Sequence, residues 1–228
     1  MYYKYETHLH TSPVSKCATS TVREHLEKYK EKGFDGVFIT NHFIDANIGF
    51  DRTKPYTYQE IIGFYFSDYE KGKELEKEIG IKVFCGVEIS HRGTDFLVYG
   101  LDKAWFLSHP EIQDMKILDR LDLYRKNGAL IVQAHPFREA SYIEYIRLFP
   151  RNVDGVEVMN SSNSDFVNKL GRQYAENYGL LQFAGSDNHK VNTVRLAGMK
   201  CKEPITSEKD FIEKARAGML KPFREEKI

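Results

Sequence analysis

The sequence predicts an α/β protein whose strands and helices alternate around a closed or nearly closed barrel, with an open doubly wound sheet as the alternative. Three observations predict it. Charged, helix-patterned runs repeatedly close on a glycine and pass into short apolar runs rich in β-branched and aromatic residues. Those apolar runs are nearly continuous rather than alternating, as in strands buried on both faces. No Pro/Gly/Ser-rich linker interrupts the series, so the 228 residues read as one domain, 1–228, a length ordinary for a single barrel.

The elements follow in order. "YYKYET" opens the chain as a strand, and "STVREHLEKYKEKG" is an amphipathic helix. Its Val22, Leu26 and Tyr29 lie at i, i+4 and i+7, with Ser20 as the expected N-cap and Glu24 in the first turns. "KGFDGVFIT" (32–40) ends that unit in a strand, a helix near 58–78 follows, and "IGIKVFCGVE" (79–88) and "TDFLVYGL" are the next strands. A helix near 111–126 leads into "NGALIVQAH" (127–135), then come the strand "DGVEVM", a helix near 164–177 and "YGLLQFAGSD" (178–187). "RLAGM" is a further strand and 207–217 a last helix, giving seven or eight strands in all. Gly33, Gly80, Gly128 and Gly179 stand where a helix ends in a left-handed residue, which only glycine adopts without steric cost.

Composition excludes several functions. The 33 basic and 33 acidic residues cancel, so no global field draws the chain to long nucleic acid or an anionic membrane, and a bound phosphate must be held locally. Cys17, Cys85 and Cys201 are odd in number, far apart and outside any CxxC pattern, which predicts a reducing, cytoplasmic setting rather than a disulfide framework. The opening "MYYKYETH" carries no cationic segment leading into an apolar run, and no apolar stretch approaches the roughly 20 residues that span a bilayer. No Ser-His-Asp, P-loop or GxGxxG pattern is present.

The chemistry is concentrated at strand ends. His8 and His10 follow the first strand, Asn41 and His42 follow "VFIT", and Glu88 ends "VFCGVE". His135 ends "ALIVQA", Glu157 and Asn160 end "DGVEVM", and Asp187 and His189 follow "LLQFAGS". In a barrel the C-terminal strand ends surround one mouth, so residues far apart in sequence collapse into one site. Imidazoles mixed with carboxylates suit Zn²⁺, Mn²⁺ or iron. Side chains two apart on an extended chain share a face, so both histidines of HxH can approach one ion. Arg138, three residues after His135, is the nearest cation for a phosphoryl group, the alternative being a surface partner for Glu139 or Glu144. His25 and His109 are expected to face solvent, and His91 reaches the mouth only if the chain turns back.

These motifs, "THLHTS", "FITNHF", "GVEIS", "AHPFRE", "DGVEVMN" and "AGSDNH", resemble in type and order those of the PHP (polymerase and histidinol phosphatase) family of metal-dependent phosphoesterases. The resemblance implies a distorted (β/α)7 TIM-like barrel carrying two or three divalent transition metal ions (Zn, Mn or Fe) and hydrolysing phosphate esters. It implies His8, His10 and Asp187 as ligands of a first metal, Glu88 as a bridging carboxylate, His135 as a ligand of a second, and His42 with His189 as the pair holding a third. Glu88, Asp187 and His189 would then form the catalytic set and Arg138 the substrate contact.

The chain departs from that pattern in three places. The loop "HTSPVSKCATS" lacks the His or Asp usual at the third metal, and Cys17 stands closest to that place, as either a substituted metal ligand or a small buried residue. Asn41 replaces a common Asp, altering support behind the ligands, and Asp95 stands where relatives often have a histidine, as a possible carboxylate ligand. The expected substrate is a small-molecule phosphomonoester, in a histidinol-phosphatase-like reaction, selected by loops 43–57 and 159–165. An amidohydrolase-type hydrolase, or a PHP module that has lost catalysis, are the competing readings. The sequence leaves oligomeric state open.

Overall fold

A computed structural model describes residues 1–225. Nine strands form one sheet: β1 (Tyr3–Leu9), β2 (Gly36–Ile39), β3 (Lys82–His91), β4 (Thr94–Tyr99), β5 (Leu130–Gln133), β6 (Gly155–Asn160), β7 (Leu181–Gly185), β8 (Ala197–Cys201) and β9 (Lys221–Arg224). The helices are α1 (Val22–Glu31), α2 (Tyr58–Ile79), α3 (Lys103–Ser108), α4 (Ile117–Lys126), α5 (Asp165–Tyr178) and α6 (Glu208–Arg216). The sheet order is β7-β6-β5-β4-β3-β2-β1-β8-β9. It curls until β7 and β1 meet at their C-terminal ends, where His10 N–H donates to the Asn188 carbonyl at 2.9 Å and Asn188 N–H to the His8 carbonyl at 3.3 Å. The α/β barrel expected from the sequence is thus a nearly closed one.

Strict alternation of strand and helix does not hold. β1, β2 and β3 are parallel, as are β5, β6 and β7, but β4 runs antiparallel to both β3 and β5. The two-residue turn Arg92–Gly93 makes β3 and β4 a hairpin, and both residues have positive φ, 51° and 80°. β8 and β9 add antiparallel strands beside β1, of which β9 was not expected.

Local signals placed most boundaries. Gly33, Gly80, Gly128 and Gly179 all take left-handed φ, 72°, 75°, 88° and 63°. The α1 N-cap is Thr21 rather than Ser20, because only Thr21 stands three residues before Glu24 and closes a capping box. The helix expected over 111–126 is interrupted: a 3₁₀ turn at Pro110–Gln113 precedes an extended Lys116, from which α4 starts. α3 was not expected, and its N-cap is the Asp102 carboxylate, which accepts from Trp105 N–H at 2.8 Å.

Packing leaves one end of the barrel for chemistry. Tyr5, Phe38, Phe84, Leu97, Tyr99, Val132 and Phe183 join Phe211 and Ile212 of α6 in a single buried cluster. The Phe211 ring packs tilted against Phe38, centroids 4.3 Å apart, and edge-on to Tyr99 at 5.2 Å. On β3 the alternation that points Phe84 into this cluster also points Glu88 inward, while Cys85, Val87 and Ile89 belong to the outer cluster with Tyr65, Phe66 and Phe106. Apolar residues fill the interior up to Glu88, and above it the lining becomes polar.

Candidate metal centre

Each ligand candidate is set by a strand end. His8 and His10 leave β1 on one face, His42 pairs with Glu88 through an isolated parallel bridge past β2, and Asp187 and His189 follow β7. Asp95 lies at the start of β4, and because β4 runs backwards its beginning is at the same mouth as the ends of the parallel strands. His135 and Asp187 hold φ of 27° and 53°. Such left-handed residues cost on the order of 1–3 kcal/mol and persist where surrounding structure over-determines them.

The ligand atoms converge. Glu88 Oε1 lies 3.1 Å from His8 Nε2 and 3.5 Å from His135 Nε2, while Oε2 lies 3.4 Å from His10 Nε2 and 2.6 Å from His42 Nδ1. Glu88 therefore faces both halves of the cluster. Asp187 Oδ1 is 3.5 Å from His8 Nε2 and 3.3 Å from His10 Nε2, and His135 Nε2 is 3.7 Å from Asp95 Oδ2. Among the described residues, four sets have ligand atoms within 4.8 Å of one another: His10/His42/His189, His8/His10/Glu88, His8/His135/Asp187 and Glu88/Asp95/His135.

Supporting hydrogen bonds fix which imidazole nitrogen faces the cluster. His8 Nδ1 donates to Glu157 Oε1 at 3.0 Å, and Glu157 Oε2 accepts from His135 N–H at 3.0 Å and Asn160 Nδ2 at 2.8 Å. Asn41 Oδ1 accepts from Thr11 N–H at 2.7 Å and from the Ser15 hydroxyl at 2.8 Å. With its proton committed to Asn41, Ser15 Oγ accepts from His42 N–H at 3.0 Å and from His10 Nδ1 at 3.1 Å. The two Nε2 atoms of His8 and His10 then face each other 3.1 Å apart, a spacing that requires a proton or a cation between them. Behind them Glu6, wholly buried, accepts from His8 N–H at 2.8 Å, Ser186 N–H at 2.9 Å and the Tyr29 hydroxyl at 2.6 Å. Burial pushes its carboxyl up to about 7 despite those bonds.

The donor set fits divalent cations. The His42 Nδ1 and Glu88 Oε2 atoms are buried and close, yet neither has a partner at hydrogen-bonding angles. Burial opposes ionisation of Glu88, but His42, His8 and His10 outweigh it and hold the carboxyl well below its ordinary range. Asp187 is likewise kept ionised against burial, by His8 and Arg138. Burial, reinforced by His189 and His42, holds His10 well below the ordinary histidine range, whereas the carboxylates of Asp187, Glu157 and Glu88 overcome burial at His8 and raise it.

A cleft of about 490 Å³ opens above, lined by Cys17, His42, Asn47, Glu88, Asp95, His135, Arg138, Tyr142, Asp187 and His189 among others. Arg138 is not a surface partner of Glu139 or Glu144: its Nη2 donates to Asp187 Oδ2 at 2.5 Å and its Nε to Asn163 Oδ1 at 3.1 Å. Loop 43–57 reaches the cleft through Ala46 and Asn47. Cys17 lies exposed at the rim beside His42 and His189. Burial alone would raise its thiol, but His189 and His42 outweigh it and bring it down to about 6.

Three histidines lie outside the cluster. His91, at the end of β3, does not line the cleft. His109 stacks on Trp105 at 4.0 Å, half-buried rather than free in solvent. His25 is completely buried, with neither ring nitrogen hydrogen-bonded. At i+3 from Val22 and i−4 from Tyr29 it belongs to the apolar face of α1, a signal present in the sequence. Glu157 is the functional candidate whose place behind His8 sequence position did not reveal.

Comparisons with known proteins bear on the fold and on one segment of the chain. Residues 166–220 match the PHP-associated family model, PHP_C. An uncharacterised protein of Methanocaldococcus jannaschii is 30% identical over 95 residues, 42% of this chain and 52% of that protein. The chain thus spans about half the length of that curated relative. A two-domain protein from Bacteroides vulgatus containing a predicted PHP-like metal-dependent phosphoesterase superposes with a TM-score of 0.72 at 14% identity, over 98% of this chain and 65% of that one. An amidohydrolase from Chromobacterium violaceum, with sulfate bound and no metal, superposes with a TM-score of 0.55 at 13% identity, over 82% of this chain and 87% of that one. The matched segment, the ordered motifs and the barrel are similar to those of the PHP family.

Proposed function

We propose that the protein is a metal-dependent phosphoesterase acting on a small-molecule phosphomonoester. The observation that carries this reading is the convergence of His8 Nε2 and His10 Nε2, 3.1 Å apart, on the two carboxylates Glu88 and Asp187, at 3.1–3.5 Å. His8, His10 and Asp187 would hold one ion, His135 with Asp95 a second, and Glu88 would serve both. When bound, such ions supply Lewis acidity, which activates a water and neutralises phosphoryl oxygens. Zn²⁺, Mn²⁺ and iron match the imidazole–carboxylate set.

The chain's own residues do the rest. Arg138, held by Asp187, Asn160 and Asn163, presents a fixed positive charge to the phosphoryl group and orients it. His189 donates its Nδ1 proton to the Asp187 carbonyl at 3.1 Å, which leaves Nε2 to exchange a proton at the cleft. The buried floor beneath Glu88 keeps bulk water out on one side. At about 490 Å³ the cleft suits a small ligand rather than a polymer. Among the described residues no helix is long and apolar enough to cross a membrane.

The test is turnover of p-nitrophenyl phosphate by purified protein supplied with Mn²⁺ or Zn²⁺, with amide and lactone substrates assayed beside it. Phosphate release that His10→Ala and Asp187→Ala abolish, in variants with unchanged circular dichroism, supports the proposal. Preferred turnover of an amide or lactone would favour the amidohydrolase reading, for which the Chromobacterium likeness is the motive. Metal bound without any turnover would indicate a module that has lost catalysis.

A further inference from the structure

The longest irregular segment of the described chain runs beside the cleft. Residues 134–154 join β5 to β6 without a helix or strand, and connections of that length inside a compact domain are usually functional. The segment is fastened at both ends. At its start Arg138 N–H donates to the His135 carbonyl at 2.9 Å and Arg138 Nε to Asn163 Oδ1 at 3.1 Å. At its end Gln133 Nε2 donates to the Arg147 carbonyl at 2.7 Å, and Phe149 N–H donates back to Gln133 Oε1 at 3.1 Å. Arg147 Nη1 also donates to the Arg92 carbonyl in the β3–β4 turn at 3.0 Å. Between these anchors Tyr142 is 66% exposed and lines the cleft with Asp95, His135 and Arg138. A fastened loop thus holds a large ring open at the mouth of the site, where its face is free to meet a ligand.

The rest of the lining sharpens what that ring can select. Among the described residues that line the cleft, Tyr142 is the single Phe, Tyr or Trp and Arg138 the single Arg or Lys. Arg138 is already paired with Asp187, so once it meets a phosphoryl group no fixed cation remains for a second anionic group. The lining carboxylates Glu88, Asp95 and Asp187 face the imidazoles or Arg138, so a cationic group finds no free partner either. We propose that Tyr142 is the specificity-determining residue of the cleft, stacking on the leaving group, and that the favoured phosphomonoester has an uncharged leaving alcohol carrying a flat ring. The phosphoryl end meets Arg138 and the ring lies against Tyr142, four residues further along the same loop. In the hydrolysis the water oxygen bonds to phosphorus, the ester P–O bond breaks and the alcohol leaves with one proton of the water. Tyr142 takes no part in that step. This inference rests on reading the cleft as a phosphoesterase site, and the experiment separates the two.

The full-length protein, supplied with Mn²⁺ or Zn²⁺, is assayed for phosphate release from 2-phenylethyl phosphate and 2-cyclohexylethyl phosphate, whose alcohols are close in acidity and size and differ in flatness. The expected kcat/KM is about fivefold higher for the phenyl ester, the scale of a stacked aromatic pair. Tyr142→Ala should abolish that preference and Tyr142→Phe should keep it, whereas a merely structural role would lower both esters together and leave their ratio unchanged. Binding is read separately by calorimetry with 3-phenylpropylphosphonate, which cannot be hydrolysed and should bind Tyr142→Ala about fivefold more weakly than the native chain. A carboxylate or an aminomethyl group in the para position of the phenyl ester should lower kcat/KM, and equal turnover of both charged esters overturns the uncharged leaving group. Equal turnover of the phenyl and cyclohexyl esters by the native chain, or a preference that survives Tyr142→Ala, overturns the role of Tyr142 but leaves the phosphoesterase reading standing. No phosphate released from either ester or from p-nitrophenyl phosphate overturns that reading and this proposal with it.

Discussion

At the scale of single residues, what distinguishes this site is the set of hydrogen bonds that aims its imidazoles. Glu157 accepts from His8 Nδ1 while also holding His135 N–H, so one carboxylate aims two ligands. Replacing it by Gln keeps the shape but removes the charge that favours the Nδ1–H form. Glu157→Gln should weaken Mn²⁺ or Zn²⁺ binding about 10–100-fold, measured by chelator competition. His25 shows the opposite situation, an imidazole buried without partners. Burial holds it down to about 4 against an ordinary 6.5, so the unfolded chain takes up the proton first. Its contribution to stability is whole above pH 6.5 and is lost as pH falls toward 4, by on the order of 2 kcal/mol at pH 5. Urea unfolding at pH 7.5 and 5 should therefore show a smaller acid loss in His25→Leu than in the native chain; equal losses would refute the assignment.

At the scale of elements, the ligand-bearing segments are positioned by close backbone approach and by α2. Gly185, the last residue of β7, sits where an added Cβ would come within 2.5 Å of His8 Cβ and 2.7 Å of Glu157 Oε1. Gly185→Ala must push β1 and β7 apart exactly where the HxH and SDNH segments meet, and overpacking of this kind costs about 1–3 kcal/mol. A lowered Tm together with weaker metal binding is the expected outcome. Asn41 illustrates a change that only its neighbour explains. Its Nδ2 lies 3.4 Å from Asp68 Oδ2 on α2, and Asp68 also accepts from the Thr11 hydroxyl at 2.7 Å. An Asp at 41 would set two carboxylates against each other. Asn41→Asp should destabilise the chain, and adding Asp68→Asn should recover a large part of the loss, a coupling that denaturant unfolding of the double-mutant cycle measures.

At the scale of the whole molecule, the barrel brings five imidazoles and three carboxylates to one mouth, and bound cations should stabilise that assembly. Ligand at a hundred times its dissociation constant adds about 2.7 kcal/mol, so Tm should rise with Mn²⁺ or Zn²⁺ and fall with chelator, and His10→Ala should blunt both shifts. The sequence by itself determined the strands, most helix ends and the shared face of His8 and His10, because period-two alternation, helical spacing and glycine caps are local and act through neighbouring residues. It also assembled His42, Glu88, His135, Asp187 and His189 into one mouth through a single rule about strand ends. That rule has no place for Asp95, whose strand runs backwards, nor for Glu157 behind His8, Arg138 against Asp187, or Cys17 beside His42 and His189. Those were decided by tertiary structure, because they depend on which strands lie side by side, in which direction, and on where loops from distant parts of the chain are hydrogen-bonded together.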